Sequence, residues 1–258
     1  MGKIITLHSY RGGTGKSNIA ANLAYLTAKR GHSVAVLDTD IQSPGVHLIY
    51  GMDQGRVTFT LSDFVLGKCE LEETAYDISD ELDLGASGGR LLVLPSRMSV
   101  EDISRVLADG YDANKLNSEF NKLLTELELD FLFLDTHPGL NKETLLTTSI
   151  SDNLILLVRP DKQDYHGTAL LVEVARRLQV PRVSILLNKV LSTMDKEAIR
   201  AKVEAAYECP VIGILSFEED VMSNGSHSLF TKQFPSHSWT TELNRIADSL
   251  LALNSETA

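Results

Sequence analysis

The sequence has little cysteine and no long apolar run. Its two cysteines, Cys69 and Cys209, lie far apart and lack the spacing of a metal-binding motif. Because the N-terminus also lacks a secretory pattern, we expect reduced thiols in an intracellular, cytoplasmic protein. No apolar segment approaches the length that crosses a bilayer, so nothing predicts a membrane-spanning helix.

The chain also lacks an excess of basic residues. It has 24 Lys and Arg against 35 Asp and Glu, a formal net charge of −11 at pH 7. Affinity for a phosphate backbone depends on clustered Lys and Arg, so nucleic acid is a disfavoured partner. Small basic groups between residues 176 and 202 are better explained as solvated helix faces. The C-terminal segment 250–258 carries no basic amphipathic face, and membrane attachment by such a helix is not expected.

Nothing in the composition divides the chain. We find no linker rich in proline, glycine or serine, no repeat and no low-complexity segment. Of the 258 residues, 43% are hydrophobic and 23% are charged, which is ordinary for a globular protein with a well-formed core. We therefore expect a single domain over residues 1–258.

A phosphate-binding loop occupies the N-terminal region. The β-branched run at residues 4–7 predicts a buried strand, and the apolar positions from residue 19 to residue 28 follow a helical pattern. The turn between them contains Gly12, Gly13, Thr14, Gly15, Lys16, Ser17 and Asn18. Glycines let consecutive N–H groups point into one concavity, to which the helix adds its positive end. Lys16 supplies charge for the β- and γ-phosphates, and the Ser17 hydroxyl can bind Mg²⁺.

Acidic residues follow two further predicted strands. Asp38 and Asp40 stand at the end of the strand 33–38, and Asp135 ends the apolar strand 130–135. In α/β folds, ligands bind at the carboxyl ends of such strands. An apolar strand that ends in Asp is the Walker B arrangement, in which the carboxylate holds Mg²⁺ directly or through water.

The order of elements predicts the fold class. Further strands are expected at 91–94, 153–158, 182–187 and 210–215, and helices at 46–50, 60–65, 100–107, 113–129, 165–178, 194–207 and 238–253. Alternating strands and helices imply right-handed crossovers. We therefore predict an α/β fold with a doubly wound, mostly parallel sheet and helices on both faces. The acidic segment 70–83 gives no clear prediction.

These motifs together resemble those of the MinD/ParA family of deviant Walker A P-loop ATPases. The loop is similar to the family form K-G-G-x-G-K-[ST], with Arg11 at the position of the signature lysine. Tyr10 stands where the standard form G-x-x-x-x-G-K-[ST] has its first glycine. The resemblance extends to the pair Asp38 and Asp40, to Asp135 followed by a Pro-Gly turn, and to Asn188 after a late strand.

The resemblance implies roles for these residues. The catalytic residues would be Lys16, Asp40, which positions the attacking water, and Arg11, which reaches the partner's nucleotide across a dimer. Asp135 and Ser17 would hold Mg²⁺, with Asp38 and Asp40 close to its water shell. The loop from Arg11 to Asn18 would bind the nucleotide, and Asn188 and Phe217 would contact its base. The GTPase motif N-K-x-D needs Asp where this chain has Leu191, which favours ATP over GTP.

The function implied is a Mg²⁺- and ATP-dependent ATPase that dimerises on ATP binding and positions or partitions a cellular cargo. A homodimer and a protein activator or cargo adaptor are the implied partners. Three alternatives stay open: a metallocluster-carrier ATPase, a small-molecule ligase or transferase, and a binding scaffold with degenerate catalysis. The first needs paired cysteines, which Cys69 and Cys209 do not supply. For His137 we favour local hydrogen bonding over contact with the γ-phosphate.

Overall fold

A computed structural model describes residues 2–40, 43–52, 55–97 and 113–255. These residues form one eight-stranded sheet in the order β3-β4-β2-β5-β1-β6-β7-β8. Neighbouring strands are parallel, except that β3 is antiparallel to β4. The strands are β1 Lys3–His8, β2 Ser33–Asp38, β3 Tyr76–Asp77, β4 Arg90–Leu94, β5 Phe131–Asp135, β6 Asn153–Val158, β7 Arg182–Val190 and β8 Val211–Ser216.

Helices connect these strands. They are α1 Lys16–Ala28, α2 Val46–Ile49, α3 Leu61–Val65, α4 Ala113–Glu126, α5 Lys142–Ser149, α6 Lys162–Arg177, α7 Lys196–Tyr207, α8 Glu219–Asn224, α9 Phe230–Gln233 and α10 Ser238–Ser255. The sequence did not predict α5, α8 or α9. The predicted helix 100–107 lies outside the described residues. The acidic segment 70–83 contains one 3₁₀ turn, Leu71–Thr74, and the short strand β3.

Both faces of the sheet are covered. Ile5 and Leu7 pack in one cluster with apolar residues of α1 and α10, whereas Ile4 packs in a second cluster with residues of α3 and α4. A third cluster joins β6, β7 and β8 to α6 and α7. Continuous apolar strands are typical of parallel sheets covered in this way. The predicted doubly wound α/β fold is confirmed.

One edge of the sheet, strand β8, is bonded by charged side chains. The Glu204 carboxylate of α7 accepts a hydrogen bond from the Val211 N–H at 3.0 Å. Arg200, also on α7, donates to the Val211 carbonyl. Glu242 on α10 accepts from the Ile214 N–H at 3.1 Å. Backbone groups of this edge strand are therefore satisfied by side chains of the two covering helices.

The sheet order brings three strand ends together. β5 lies between β2 and β1, and Asp135 is in register with both Asp38 and Leu7. The phosphate loop leaves the carboxyl end of β1 directly after this point. The loop and the acidic residues predicted from separate parts of the sequence therefore meet at one edge of the sheet.

Candidate functional site

The loop between β1 and α1 has the backbone that a phosphate cradle needs. Gly13 and Gly15 adopt φ values of +73° and +96°, which favour glycine. A Cβ at Gly15 would also lie 2.7 Å from Nδ2 of Asn188. Within the loop, the Thr14 hydroxyl donates to Ser9 Oγ at 3.0 Å, and Ser9 donates to the Arg11 carbonyl at 2.7 Å. These bonds fix the loop without using its N–H groups.

Two adjacent side chains at the end of β7 hold the loop from outside. Asn188 Nδ2 donates to the Thr14 carbonyl at 2.7 Å, and Lys189 Nζ donates to the Gly13 carbonyl at 2.9 Å. Lys189 has φ +58°, a strained value for a lysine. In a trans peptide group the C=O and the N–H point in opposite directions. Because the side chains of Asn188 and Lys189 hold two consecutive loop carbonyls, the N–H groups of the same peptides can face an anion. No sequence pattern predicted this contact from Lys189.

Lys16 is buried among carboxylates. Lys16 is the first residue of α1, and only 7% of the residue is exposed. Burial lowers the pKa of Lys16, and nearby carboxylates, Asp135 first, oppose that shift. For Asp135, burial raises the pKa to about 6. The Lys16 charge and a hydrogen bond with Ser17 oppose that shift.

Asp135 has an unused oxygen. Its Oδ1 is buried and has no hydrogen-bond partner in the described part of the chain. A buried carboxylate oxygen without a donor is costly unless something else satisfies it. A hard cation such as Mg²⁺ prefers oxygen ligands of this kind, usually one or two carboxylates together with phosphate oxygens. Asp135 and the neighbouring Ser17 therefore fit Mg²⁺ held jointly with a nucleotide.

Asp38 is differently engaged. Its two oxygens accept hydrogen bonds from the N–H groups of Asp40, Gly45 and Val46, at 3.0, 2.8 and 3.1 Å. Burial and the Asp135 charge raise its pKa well above the usual range. Asp40 in turn accepts from the Ser43 N–H at 3.0 Å. Asp38 thus shapes the loop that carries Asp40, whereas Asp135 keeps a buried oxygen without a partner.

Arg11 lies at the rim of the site and points toward α6. Its Nη1 is 3.8 Å from Oδ1 of Asp161 and 3.8 Å from Oδ1 of Asp164, and its side chain is 43% exposed. Arg159 lies closer to Asp164: its Nε donates to Oδ2 at 2.8 Å and its Nη2 donates to Oδ1 at 3.1 Å. Arg11 is therefore held loosely, because the better hydrogen-bonding geometry belongs to its neighbour.

Tyr10 packs directly against α6. A Cβ built at Gly167 would lie 2.0 Å from both Cγ and Cδ1 of Tyr10 and 2.7 Å from its Cβ. Gly167 is buried in the middle of the helix. The tyrosine at the position of the standard loop glycine is thus accommodated by a glycine elsewhere in the chain.

Two histidines flank the turn after Asp135. His137 makes a local contact, with Nδ1 2.8 Å from the Pro138 carbonyl. His8, which sequence reasoning missed, is buried, and its Nδ1 lies 2.7 Å from Thr136 Oγ1. Thr136 donates to the Leu7 carbonyl, so His8 donates to Thr136. Burial and the Lys16 charge lower the pKa of His8 to about 3. The feature of the sequence that could have identified His8 is a histidine within an otherwise apolar strand.

A cavity of about 240 Å³ lies beside the loop. It is lined by Gly13, Gly15, Asn188, Lys189, Phe217 and Val221, among others. Asn188 and Phe217, predicted to contact the base, therefore share one cavity with the loop. The side chain of Asn18 donates to the Gly225 carbonyl at 2.7 Å. The described residues contain no group of three or more His, Cys, Asp or Glu arranged to hold a metal.

This fold and loop define a P-loop nucleotide-binding protein. Residues 5–229 match the sequence profile described as the CobQ/CobB/MinD/ParA nucleotide binding domain. The chain therefore belongs to the CobQ/CobB/MinD/ParA family, which confirms the predicted relationship to MinD and ParA. P-loop proteins of the MinD/ParA family are in general ATPases.

Curated relatives include proteins of different roles. An uncharacterised ATP-binding protein of Methanocaldococcus jannaschii is 32% identical over 82% of this chain and 73% of its own length. An iron-sulfur cluster carrier protein of Pyrococcus furiosus is 27% identical over 71% of this chain and 60% of its own. The family is thus shown, but the names of these relatives indicate no common cargo.

Solved structures show the same fold. The septum site-determining protein MinD of Pyrococcus horikoshii, complexed with Mg-ADP, superposes with a TM-score of 0.82 at 21% identity, covering 100% of this chain and 99% of that one. The Cyanothece McdA(D38A)-ATP complex gives a TM-score of 0.77 at 14% identity over 97% and 96% of the two chains. None of the helices in the described ranges has the length and apolar character to span a membrane.

Proposed function

We propose that this protein is a Mg²⁺-dependent ATPase that dimerises on binding ATP and acts as a switch for positioning or partitioning a cellular cargo. The unpartnered Oδ1 of Asp135, buried beside Ser17 and near Lys16, carries this proposal. It supplies a buried carboxylate oxygen without a hydrogen-bond partner, of the kind that a shared Mg²⁺·nucleotide site requires. The whole chain acts as one cytoplasmic ATPase domain.

The residues of the site divide the chemistry. The loop N–H groups and Lys16 bind the β- and γ-phosphates and neutralise their charge. Ser17 and Asp135 hold Mg²⁺, which when bound neutralises further phosphate charge. Asp40 orients the attacking water. Asp38 keeps Asp40 in place through its three backbone hydrogen bonds.

Arg11 acts across the dimer. Its loose contacts with Asp161 and Asp164 leave it free to move to the nucleotide of a second copy. There its planar, permanently charged guanidinium stabilises charge on the transferred phosphate. Leu140 and Leu145, which follow the turn after Asp135, are exposed and supply apolar surface for contact with the second copy. Hydrolysis releases the loops that contact the γ-phosphate, and with them the dimer.

The cysteines give no support to a metallocluster carrier. Cys69 packs beside the cluster of α3 and α4, whereas Cys209 lies in the cluster of α6 and α7. Burial first, and then nearby carboxylates, raise the pKa of Cys69 to about 11, which disfavours the thiolate that binds metal. We therefore propose no second function.

Light scattering after size exclusion tests the proposal. The Asp40→Ala variant retains bound ATP because hydrolysis is slowed, and we expect it to change from monomer to dimer when Mg²⁺·ATP is added. Lys16→Ala, which loses the phosphate charge contact, is the matched control and stays monomeric. An Asp40→Ala protein that binds ATP yet keeps one mass would contradict the dimer switch and point to a constitutive oligomer or a monomeric transferase.

A further inference from the structure

Two asparagines on α1 connect the phosphate loop to the wall of the neighbouring cavity. Asn18 follows Ser17 directly, and its Nδ2 donates to the Gly225 carbonyl at 2.7 Å. One turn later, Asn22 Nδ2 donates to the Asn18 carbonyl at 2.7 Å and to Asn18 Oδ1 at 2.9 Å. We call this pair, Asn18 and Asn22, the asparagine ladder.

The ladder also holds Thr231, at the far end of the segment that begins at Gly225. Asn22 Oδ1 accepts hydrogen bonds from the Thr231 N–H at 2.9 Å and from the Thr231 hydroxyl at 2.8 Å. Asn22 is completely buried, and its two donors and two acceptor positions are all used. A buried amide satisfied in this way specifies one geometry, because any displacement leaves a polar group unpaired.

The segment held by the ladder, residues 225–231, forms part of the cavity wall. Gly225 and Ser226 line the cavity together with Val221 and Met222 of α8. Gly225 has φ +54° and ψ −122°, a conformation that favours glycine, so the chain turns sharply at the bonded residue. Asn188 and Lys189, which are bonded to the phosphate loop, line the same cavity. Two parts of the cavity lining are thus bonded to the phosphate loop or to its helix.

We propose that Asn18 and Asn22 are positioning residues for the base of the bound nucleotide. This inference rests on the proposed function, because it takes the cavity as the site of the base. The ladder sets the distance between the phosphate cradle and the wall formed by residues 221–226. Asn18 itself lines the cavity, but its side-chain amide is bonded to the Gly225 carbonyl, and it acts through that bond.

Calorimetric titration of ADP and of pyrophosphate, both with Mg²⁺, tests the ladder. Asn18→Ala removes the bond to Gly225 and the bond that Asn18 Oδ1 accepts from Asn22, but keeps a good helix former. We expect its affinity for ADP to fall about fivefold, the effect of losing the one hydrogen bond that reaches the cavity wall, while its affinity for pyrophosphate changes less than twofold. Thr231→Val removes only the hydroxyl bond at the other end, and we expect it to lower ADP affinity in the same selective way.

Asn244→Ala is the matched control. Asn244 is also a helical asparagine with side-chain hydrogen bonds, to Thr240 and from Arg30, but it does not line the cavity. We expect this variant to bind both ligands as the wild type does. A parallel loss of ADP and pyrophosphate in Asn18→Ala, or no loss of ADP, would overturn the ladder's role. Wild-type protein that binds neither ligand would instead refute the proposed function itself.

Discussion

The contact between Tyr10 and Gly167 leads to a prediction whose sign depends on the background. Gly167→Ala should destabilise the wild type, because the new Cβ would lie 2.0 Å from two ring atoms of Tyr10. Tyr10→Gly, which restores the glycine of the standard loop form, removes all of the crowded atoms. In that background the same Gly167→Ala substitution should stabilise the protein.

The magnitudes follow from two opposing effects. Crowding of this kind costs about 3 kcal/mol, at the upper end for overpacked sites, because both ring atoms must move. Replacing a glycine inside a helix by alanine gains about 1 kcal/mol. The net expectation is a loss of about 2 kcal/mol in the wild type and a gain of about 1 kcal/mol in the Tyr10→Gly background. For a domain of this size the loss corresponds to a melting temperature lower by about 4–8 °C.

Urea unfolding of the four proteins in this cycle measures the coupling. The quantity compared is the free energy of unfolding of wild type, Gly167→Ala, Tyr10→Gly and the double variant. We expect a coupling of about 3 kcal/mol and a reversal of sign. If Gly167→Ala shifts stability in the same direction in both backgrounds, Tyr10 is not what requires the glycine.

Three further predictions concern the loop and its surroundings. Lys189→Met, which loses the bond to the Gly13 carbonyl but keeps an apolar stem, should weaken ADP and pyrophosphate binding equally in calorimetry, by about fivefold; loss of ADP affinity alone would contradict it. His8 is held neutral with a pKa of about 3, so its contribution to stability is complete above about pH 6.5 and is lost as the pH falls toward 3. His8→Asn should therefore lower the stability difference between pH 7.5 and pH 5 by about 2 kcal/mol in urea unfolding, and an unchanged difference would refute the assignment. Arg11→Ala should weaken ATP-dependent dimerisation or turnover and leave ATP affinity largely intact, as measured by light scattering, phosphate release and calorimetry; wild-type dimerisation and turnover would exclude the role in trans.

Local signals in the sequence were sufficient for the seven parallel strands and the phosphate loop, but not for the short edge strand β3. The strands are continuous apolar runs covered on both faces, and the loop carries its chemistry within seven residues. Helix α5 escaped prediction because Thr144, Thr147 and Thr148 are buried there, where apolar residues would have given a helical period. Their hydroxyls donate to carbonyls one turn earlier in the chain, which offsets the cost of burying them.

The rest of the site depends on contacts between distant parts of the chain. Asn188 lies 174 residues from the Thr14 carbonyl that it bonds, and Asn22 lies 209 residues from Thr231. No local pattern encodes such pairs, since they arise from the order of strands in the sheet. The same holds for Gly167, which is required by the side chain of Tyr10 in the loop between β1 and α1. Sequence patterns alone identified the chemical groups of the site, but not the distant residues that hold those groups in position.

The bonded edge of the sheet limits how copies of this chain can associate. A bare edge strand is a template for another strand, and proteins protect such edges against unwanted pairing. At β8, Glu204, Arg200 and Glu242 already occupy backbone groups that an incoming strand would need. At the other edge, β3 contributes only two residues, Tyr76 and Asp77, too few to template a long ladder. Continuous sheet growth is thereby disfavoured in both directions, and association is left to surfaces built from side chains.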